Sequence, residues 1–220
     1  MRRILLVALC ACAVLAFACS SSDGDDGSGT TSDSTATPNP NDTEIARSML
    51  LTISDFPTGW AESTSADENS PLDKCQTETD TPNRASADFA KGSGNTSISQ
   101  TAAVFPLAED AQKSIDGYRS RLDCAVKLIN DGKLDNKDTS YVDAKVGALS
   151  FPALGEQSTA LRLTMTAKPK NTTGSIAIFF DVVLVRKGRT AFSLLATDVL
   201  SPFNSNDLEA FVRKAAQKLP

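Results

Sequence analysis

Apolar residues recur along this chain at two spacings, and the change from one to the other marks out its elements. Ile45, Ala46, Met49, Leu50 and Ile53 follow Asp42 or Thr43 as N-cap at helical steps, which predicts a short amphipathic helix ending before Pro57. Leu107, Ala111, Ile115, Tyr118, Leu122, Val126 and Ile129 continue the same period and predict a long helix. Leu208, Phe211, Val212, Ala215 and Leu219 predict a closing helix, with caps available between Asn204 and Asp207. Between these the period drops to two. Strands are expected over 96–105, 142–151, 159–168, 175–186 and 189–198, with Lys187-Gly188 as a tight hairpin turn.

One strand is apolar on both sides. Ile176, Ile178, Phe180, Val182 and Leu184 share one face, and Ala177, Phe179, Val183 and Val185 the other, so the strand belongs in the middle of a sheet. Its neighbour alternates Leu161, Leu163 and Met165 with Arg162, Thr164 and Thr166, which predicts one apolar and one polar face. The fold class is α+β: an antiparallel sheet of about five strands with a long helix and two terminal helices packed on it. The sheet is expected to be covered on one side and partly open on the other. Residues 61–94 are polar and hold Pro71 and Pro82, so they read as a long surface excursion with one short element near 86–90.

The N-terminal pattern is of another kind. Arg2 and Arg3 precede an apolar run from Ile4 to Phe17, then the small residue Ala18 and Cys19, the three zones of a secretory signal. The run is shorter than the roughly 17–25 residues of a membrane-spanning helix, and Ser20-Ser-Ser-Asp-Gly cannot extend it. Leu15-Ala16-Phe17-Ala18-Cys19 resembles a bacterial lipobox, in which the Cys thiol takes a diacylglycerol. The alternative is a plain secreted protein cleaved nearby. Residues 20–41 contain no large apolar side chain and cannot offset the entropy of ordering, so they form a tether spanning roughly 25 Å on average. Three parts follow: a signal peptide over 1–18, the acylated Cys and tether over 19–41, and one extracytoplasmic domain over 42–220. The lipid would hold this domain on the outer face of the cell membrane.

Removing Cys10 and Cys12 with the signal and acylating Cys19 leaves Cys75 and Cys124. In an oxidising compartment such a pair is expected to form a disulfide. Two thiols cannot close a zinc site, and the chain has no His.

Composition removes several classes of function. Without the signal there are twenty basic against twenty-seven acidic residues, which argues against a nucleic-acid partner and against adhesion to anionic headgroups. The absence of His excludes Ser–His–Asp and Cys–His catalysis, so no catalytic residue, metal ligand or cofactor is assigned. Lys91-Gly-Ser-Gly-Asn95 neither follows a strand nor opens a helix and reads as a turn. Asp131, Asp135 and Asp138 lack the calcium-loop spacing and its closing Glu.

Four phrases carry a resemblance: Leu50-Leu-Thr-Ile-Ser-Asp-Phe-Pro-Thr-Gly-Trp60, a Cys in the following loop with another in the long helix, Phe151-Pro-Ala-Leu-Gly-Glu156, and Val185-Arg-Lys-Gly-Arg189. Together they resemble extracytoplasmic sensor-type domains of actinobacterial lipoproteins and of mycobacterial membrane Ser/Thr kinases. The resemblance implies an antiparallel sheet with helices around a ligand-binding cleft, although those kinase domains carry two Cys pairs. A second similarity, to small lipoproteins of the photosystem-associated PsbP type, implies assembly or protein-interaction work in the envelope.

The expected function is therefore non-catalytic ligand binding or sensing; the alternatives are an envelope assembly module and a His-independent hydrolase. Trp60, Arg162, Thr164 and Thr166 are the candidate ligand-binding residues, facing a cleft between the open sheet face and the disulfide-pinned excursion. The ligand would be a small molecule, a lipid or an envelope polymer, and an envelope protein is the other partner class. Trp60 also fits a structural role, plugging the edge of the core after a Pro-Gly turn.

Overall fold

Alternating side chains from four consecutive strands in the second half of the chain build most of the sheet. The computed structural model describes residues 39–64, 75, 81 and 83–220. The signal peptide, Cys19 and nearly all of the tether lie outside the described residues, as does most of the excursion before Asn83. In chain order the elements are α1 (Asp42–Ser48), a 3-10 turn (Ile53–Asp55), β1 (Trp60–Ser63), β2 (Arg84–Lys91), β3 (Thr96–Val104), α2 (Ala108–Asn130), β4 (Thr139–Ala148), β5 (Gln157–Pro169), β6 (Ile176–Lys187), β7 (Thr190–Val199) and α3 (Ser205–Gln217). None of the described helices is long and apolar enough to cross a membrane.

The strands form one fully antiparallel sheet in the order β1-β2-β3-β7-β6-β5-β4. It has seven strands, not about five. The two extra ones, β1 and β2, come from the segment read as a polar excursion. In β2 (Arg-Ala-Ser-Ala-Asp-Phe-Ala-Lys) the inward positions are filled mainly by Ala, so the period-2 signal is faint; Phe89 alone is large, and it is 1% exposed. Lys91–Asn95 forms the expected turn but, contrary to expectation, follows a strand: it joins β2 to β3 and sets their register, with Lys91 opposite Thr96. As expected from its two apolar faces, β6 is interior, between β5 and β7.

Helices lie on both faces, so the face expected to be partly open is covered over most of its width. On the first face α2 runs over β4 to β7, burying Ala111, Ile115, Leu122, Ala125 and Ile129. On the second, α1 and α3 join one cluster in which Met49, Leu208, Phe211 and Val212 pack on Phe89, Ile98, Leu194, Ala196, Val183 and Val185. That cluster stops short of the β4–β5 end of the sheet, where the second face carries Arg162, Thr164 and Thr166.

Long-range polar contacts hold α1 and the segment after it to the sheet, and α3 to that segment. The N-cap of α1 is Asn41 rather than Asp42 or Thr43; Asp42 is buried and receives two hydrogen bonds from Arg189 of the β6–β7 hairpin, at 2.7 and 2.8 Å. The helix ends at Ser48, before the expected Ile53, because the buried Gln100 of β3 takes over the backbone there. Its amide donates to the Met49 carbonyl at 3.0 Å and accepts from the Leu51 N–H at 2.7 Å. At the far end of α3, Lys218 donates to the Leu50 carbonyl and to Asp55, both at 2.8 Å.

Two of these carboxylates are acid-sensitive. The Arg189 hydrogen bonds hold Asp42 below its ordinary value of 3.8, outweighing burial, and Arg189's charge adds to them. Burial pushes Asp55 up, but Lys218 and the Thr52 N–H more than offset it and leave this group lowered too. A carboxyl whose pKa is depressed by folding contributes stability that is complete above its unfolded value and lost as pH falls through the folded one. Denaturant midpoints should therefore hold steady above about pH 5 and fall below about pH 4. Asp42→Asn should flatten part of that fall.

The predicted Cys75–Cys124 disulfide is present, with Cα atoms 5.7 Å apart. It sits on α2, against the first face.

Candidate functional site

β4 ends at Ala148, short of the expected Phe151, because residues 149–155 leave the sheet and fold back over its second face. Leu149, Phe151 and Leu154 pack against the edge of the α1/α3 cluster. Gly155 makes the return possible: its φ is +64°, and a Cβ there would lie 2.5 Å from the Arg186 carbonyl oxygen. That accounts for the glycine of the Phe151–Glu156 phrase.

Opposite this segment stands the first turn of α3, capped by Asn204, whose side chain accepts from the N–H groups of Asn206 and Asp207. Between the two walls is a cleft of about 410 Å³. Ser150, Phe151 and Pro152 form one side and Ser205, Asn206 and Glu209 the other; Arg162 and Asp181 form the floor.

The floor is a directly opposed cross-strand pair. Arg162 of β5 faces Asp181 of β6, and its Nε and one terminal nitrogen donate to the two carboxylate oxygens at 2.5 and 2.7 Å. The Asp181 side chain is 0% exposed and that of Arg162 is 27% exposed, so the carboxylate is sealed while the guanidinium reaches the cleft. The hydrogen bonds from Arg162 to Asp181 raise the guanidinium's pKa further, against the opposing effect of burial. Its remaining N–H donors are outside that bidentate pair. At the rim, Glu209 is bonded to Arg213 one turn on, at 2.7 Å.

Of the four predicted ligand-binding residues, only Arg162 lines this cleft. Thr164 and Thr166 share its face farther along β5; the Thr164 hydroxyl is buried and has no hydrogen-bond partner among the described residues. Trp60 is on β1, five strand spacings or about 24 Å away across the sheet. It packs on Phe56 (5.0 Å between centroids), Phe211 (5.7 Å) and Phe203 (6.4 Å), the core-edge role. Cys75, joined to Cys124 of α2, and Arg162 lie on opposite faces of the sheet; the rest of the excursion that was expected to wall a cleft lies outside the described residues.

Asp181 escaped the sequence reading. Its signal was a lone acid in the apolar run Ile-Phe-Phe-Asp-Val-Val, which requires a cation on the neighbouring strand. Asp135, whose spacing does not fit a calcium loop, is engaged in the turn after α2, where it accepts from the Tyr141 N–H at 2.9 Å. Among the described residues there is no group of three His, Cys, Asp or Glu placed to hold a metal ion.

No family model and no curated protein matches the chain. Among solved structures, it is similar to the extracellular domain of PknH from Mycobacterium tuberculosis. The two are 12% identical, with a TM-score of 0.44, over 84% of this chain and 96% of that one. This is the mycobacterial kinase resemblance seen in the phrases around Trp60, Phe151 and Gly188. No binding residue is transferred from it.

Proposed function

We propose that the chain is a lipid-anchored extracytoplasmic domain that binds a small, uncharged, hydroxyl-rich ligand in the Arg162–Asp181 cleft and leaves it chemically unchanged. The observation that carries this reading is the floor. Buried ion pairs are poor stabilisers, and an apolar pair would serve the fold as well. A sealed carboxylate presenting a fixed guanidinium to a cleft of about 410 Å³ has the form and size of a ligand pocket.

The ligand class follows from the charge balance. Arg162 is neutralised by Asp181, and Glu209 by Arg213. The leading N–H groups of α3 are taken up by Asn204, so that helix end has little left for an anion. What remains are donors and acceptors without net charge: the outer guanidinium N–H groups, Ser150, Ser205 and Asn206, beside the apolar Leu149, Phe151 and Leu208. A saccharide, or the saccharide part of an envelope fragment, matches that mixture. With both acids occupied and no His in the chain, the cleft has no free acid–base pair, which supports binding over hydrolysis.

Thermal and denaturant unfolding of the purified chain against neutral mono- and disaccharides and muropeptide fragments tests the reading. A ligand at 100 times its Kd should add about 2.7 kcal/mol. Ser150→Trp, at an exposed position on the cleft wall, should abolish the gain without lowering basal stability. If none of these compounds shifts the transition, the site is not of this class.

The anchor rests on the lipobox at Leu15–Cys19. Mass spectrometry of the native N-terminus should find diacylglycerol on Cys19, and Cys19→Ala should release the protein from the membrane; equal membrane association of that variant would exclude the lipid. Ile53, Leu107 and Leu200, the large apolar residues exposed among those described, come from three separate segments. Scattered apolar residues of that kind do not favour the assembly-module reading.

A further inference from the structure

The core under α2 is divided. At the N-terminal end of the helix, Ala111 and Ile115 pack with Phe105, Val182, Leu184 and Ala191; at the C-terminal end, Ile129 packs with Ala144, Leu163, Met165 and Ile178. Leu122 and Ala125, buried at the middle of the helix, belong to neither cluster. Between them and the sheet lies a hollow of about 110 Å³, bounded below by Leu163, Met165, Phe180 and Leu195. The hollow is partly open and is not an enclosed void. The lining is almost wholly apolar, so water would find few partners in it.

Arg121 borders the hollow and is half-buried, with its guanidinium 5.8 Å from the centre of the Tyr118 ring. Arg119 and Arg213, also on helices, each pair with an acid four residues away, whereas Arg121 has no acidic partner among the described residues. A cation without an acidic partner among the described residues, beside an apolar slot, on a protein with net negative charge, is complementary to a molecule with an acidic head and an apolar tail. We infer that this hollow is a second site, separate from the cleft on the other face, and that it takes the apolar end of a single-chain anionic amphiphile with the acidic group against Arg121. The volume suits a ring or the last few carbons of a chain; an apolar cavity of roughly 150 Å³ takes up benzene.

Octanoate, octanol and octyltrimethylammonium, titrated into the purified chain in detergent-free buffer, test the inference. Two methionines lie outside the signal, and they report on opposite faces: Met165 lines the hollow, while Met49 is buried in the α1/α3 cluster. With methyl-labelled methionine, octanoate should shift the Met165 resonance saturably and leave that of Met49 in place. Octanol should bind about tenfold more weakly, the worth of one charge-assisted hydrogen bond, and the cationic analogue more weakly still. Arg121→Gln should bring octanoate to the octanol level, and Ala125→Phe should fill the hollow and abolish both; if that variant does not fold, the Met165 shift and Arg121→Gln carry the test. Ser150→Trp should leave octanoate binding unchanged, which separates this site from the saccharide cleft. Absence of saturable octanoate binding, an unmoved Met165, or equal affinity for octanoate and the cationic analogue overturns the inference.

Discussion

Replacing Arg162 with Met should destabilise the domain by about 3–5 kcal/mol, the usual result of removing one partner from a buried ion pair. Asp181 is 0% exposed, and both of its carboxylate oxygens are bonded by Arg162, so the truncation leaves a desolvated charge facing the methionine thioether. The reverse substitution should be milder. In Asp181→Asn the cation left behind is 27% exposed and opens onto the cleft, where water can reach it. The double variant Arg162→Met/Asp181→Leu should recover most of the loss, because an apolar pair in place of a buried ion pair is often neutral or better. It should also lose the saccharide response, which separates stability from recognition. A loss below about 1 kcal/mol for Arg162→Met, the range of an exposed ion pair, would mean that solvent reaches Asp181 and that the cleft floor is not sealed.

The sequence displays elements whose burial is strong and periodic. The long helix, the interior strand β6 and the Lys187-Gly188 hairpin are all visible in it, because a Leu, Val, Ile or Phe at nearly every inward position leaves one period open. β1 is not visible, and β2 shows only as the short element near 86–90. Ala85 and Ala87 bury too little side chain to stand out from Ser86 and Asp88, and β2 is held in the sheet by its pairing with β3, a tertiary effect that a local pattern does not encode. The placement of α1 and α3 on the second face depends on Asp42–Arg189, Gln100 and Lys218, contacts that join residues 49 to 168 positions apart. No period in the sequence announces them.

The site was legible in part for a related reason. Arg162, Thr164 and Thr166 stand out as one polar face of a strand, and they do share a face. Which of them meets a concavity depends on where the β4–β5 connection folds back, and that is decided by Gly155 against the Arg186 carbonyl. The count of cysteines pairs Cys75 with Cys124. The face of the sheet they occupy could not be counted, since a helix between two strands can cross on either side.

The disulfide carries the second large effect. Changing both Cys75 and Cys124 to Ala should lower stability by up to about 4 kcal/mol, the chain entropy returned to the unfolded state when a loop of this length is opened. The sequence separation is 49 residues, and the loop encloses β2, β3 and most of α2, so the bridge restricts a large part of the unfolded chain. For a domain of this size the corresponding fall in melting temperature is roughly 8–16 °C. Ala at both positions is preferable to Ser, because Cys75 is 5% exposed and a hydroxyl there would add a buried polar group to the count. The sheet order should survive, since six antiparallel pairings and both helix layers hold without the bridge. The hollow under α2 should not survive unchanged: Cys75 lines it, and opening the bridge removes the constraint that holds this residue over Leu122 and Ala125. Octanoate binding should therefore weaken in the double variant, while the saccharide response on the opposite face persists. If the double variant unfolds within about 1 kcal/mol of the parent chain, the bridge constrains little that the sheet and helices do not already order, and the entropic account of its role fails.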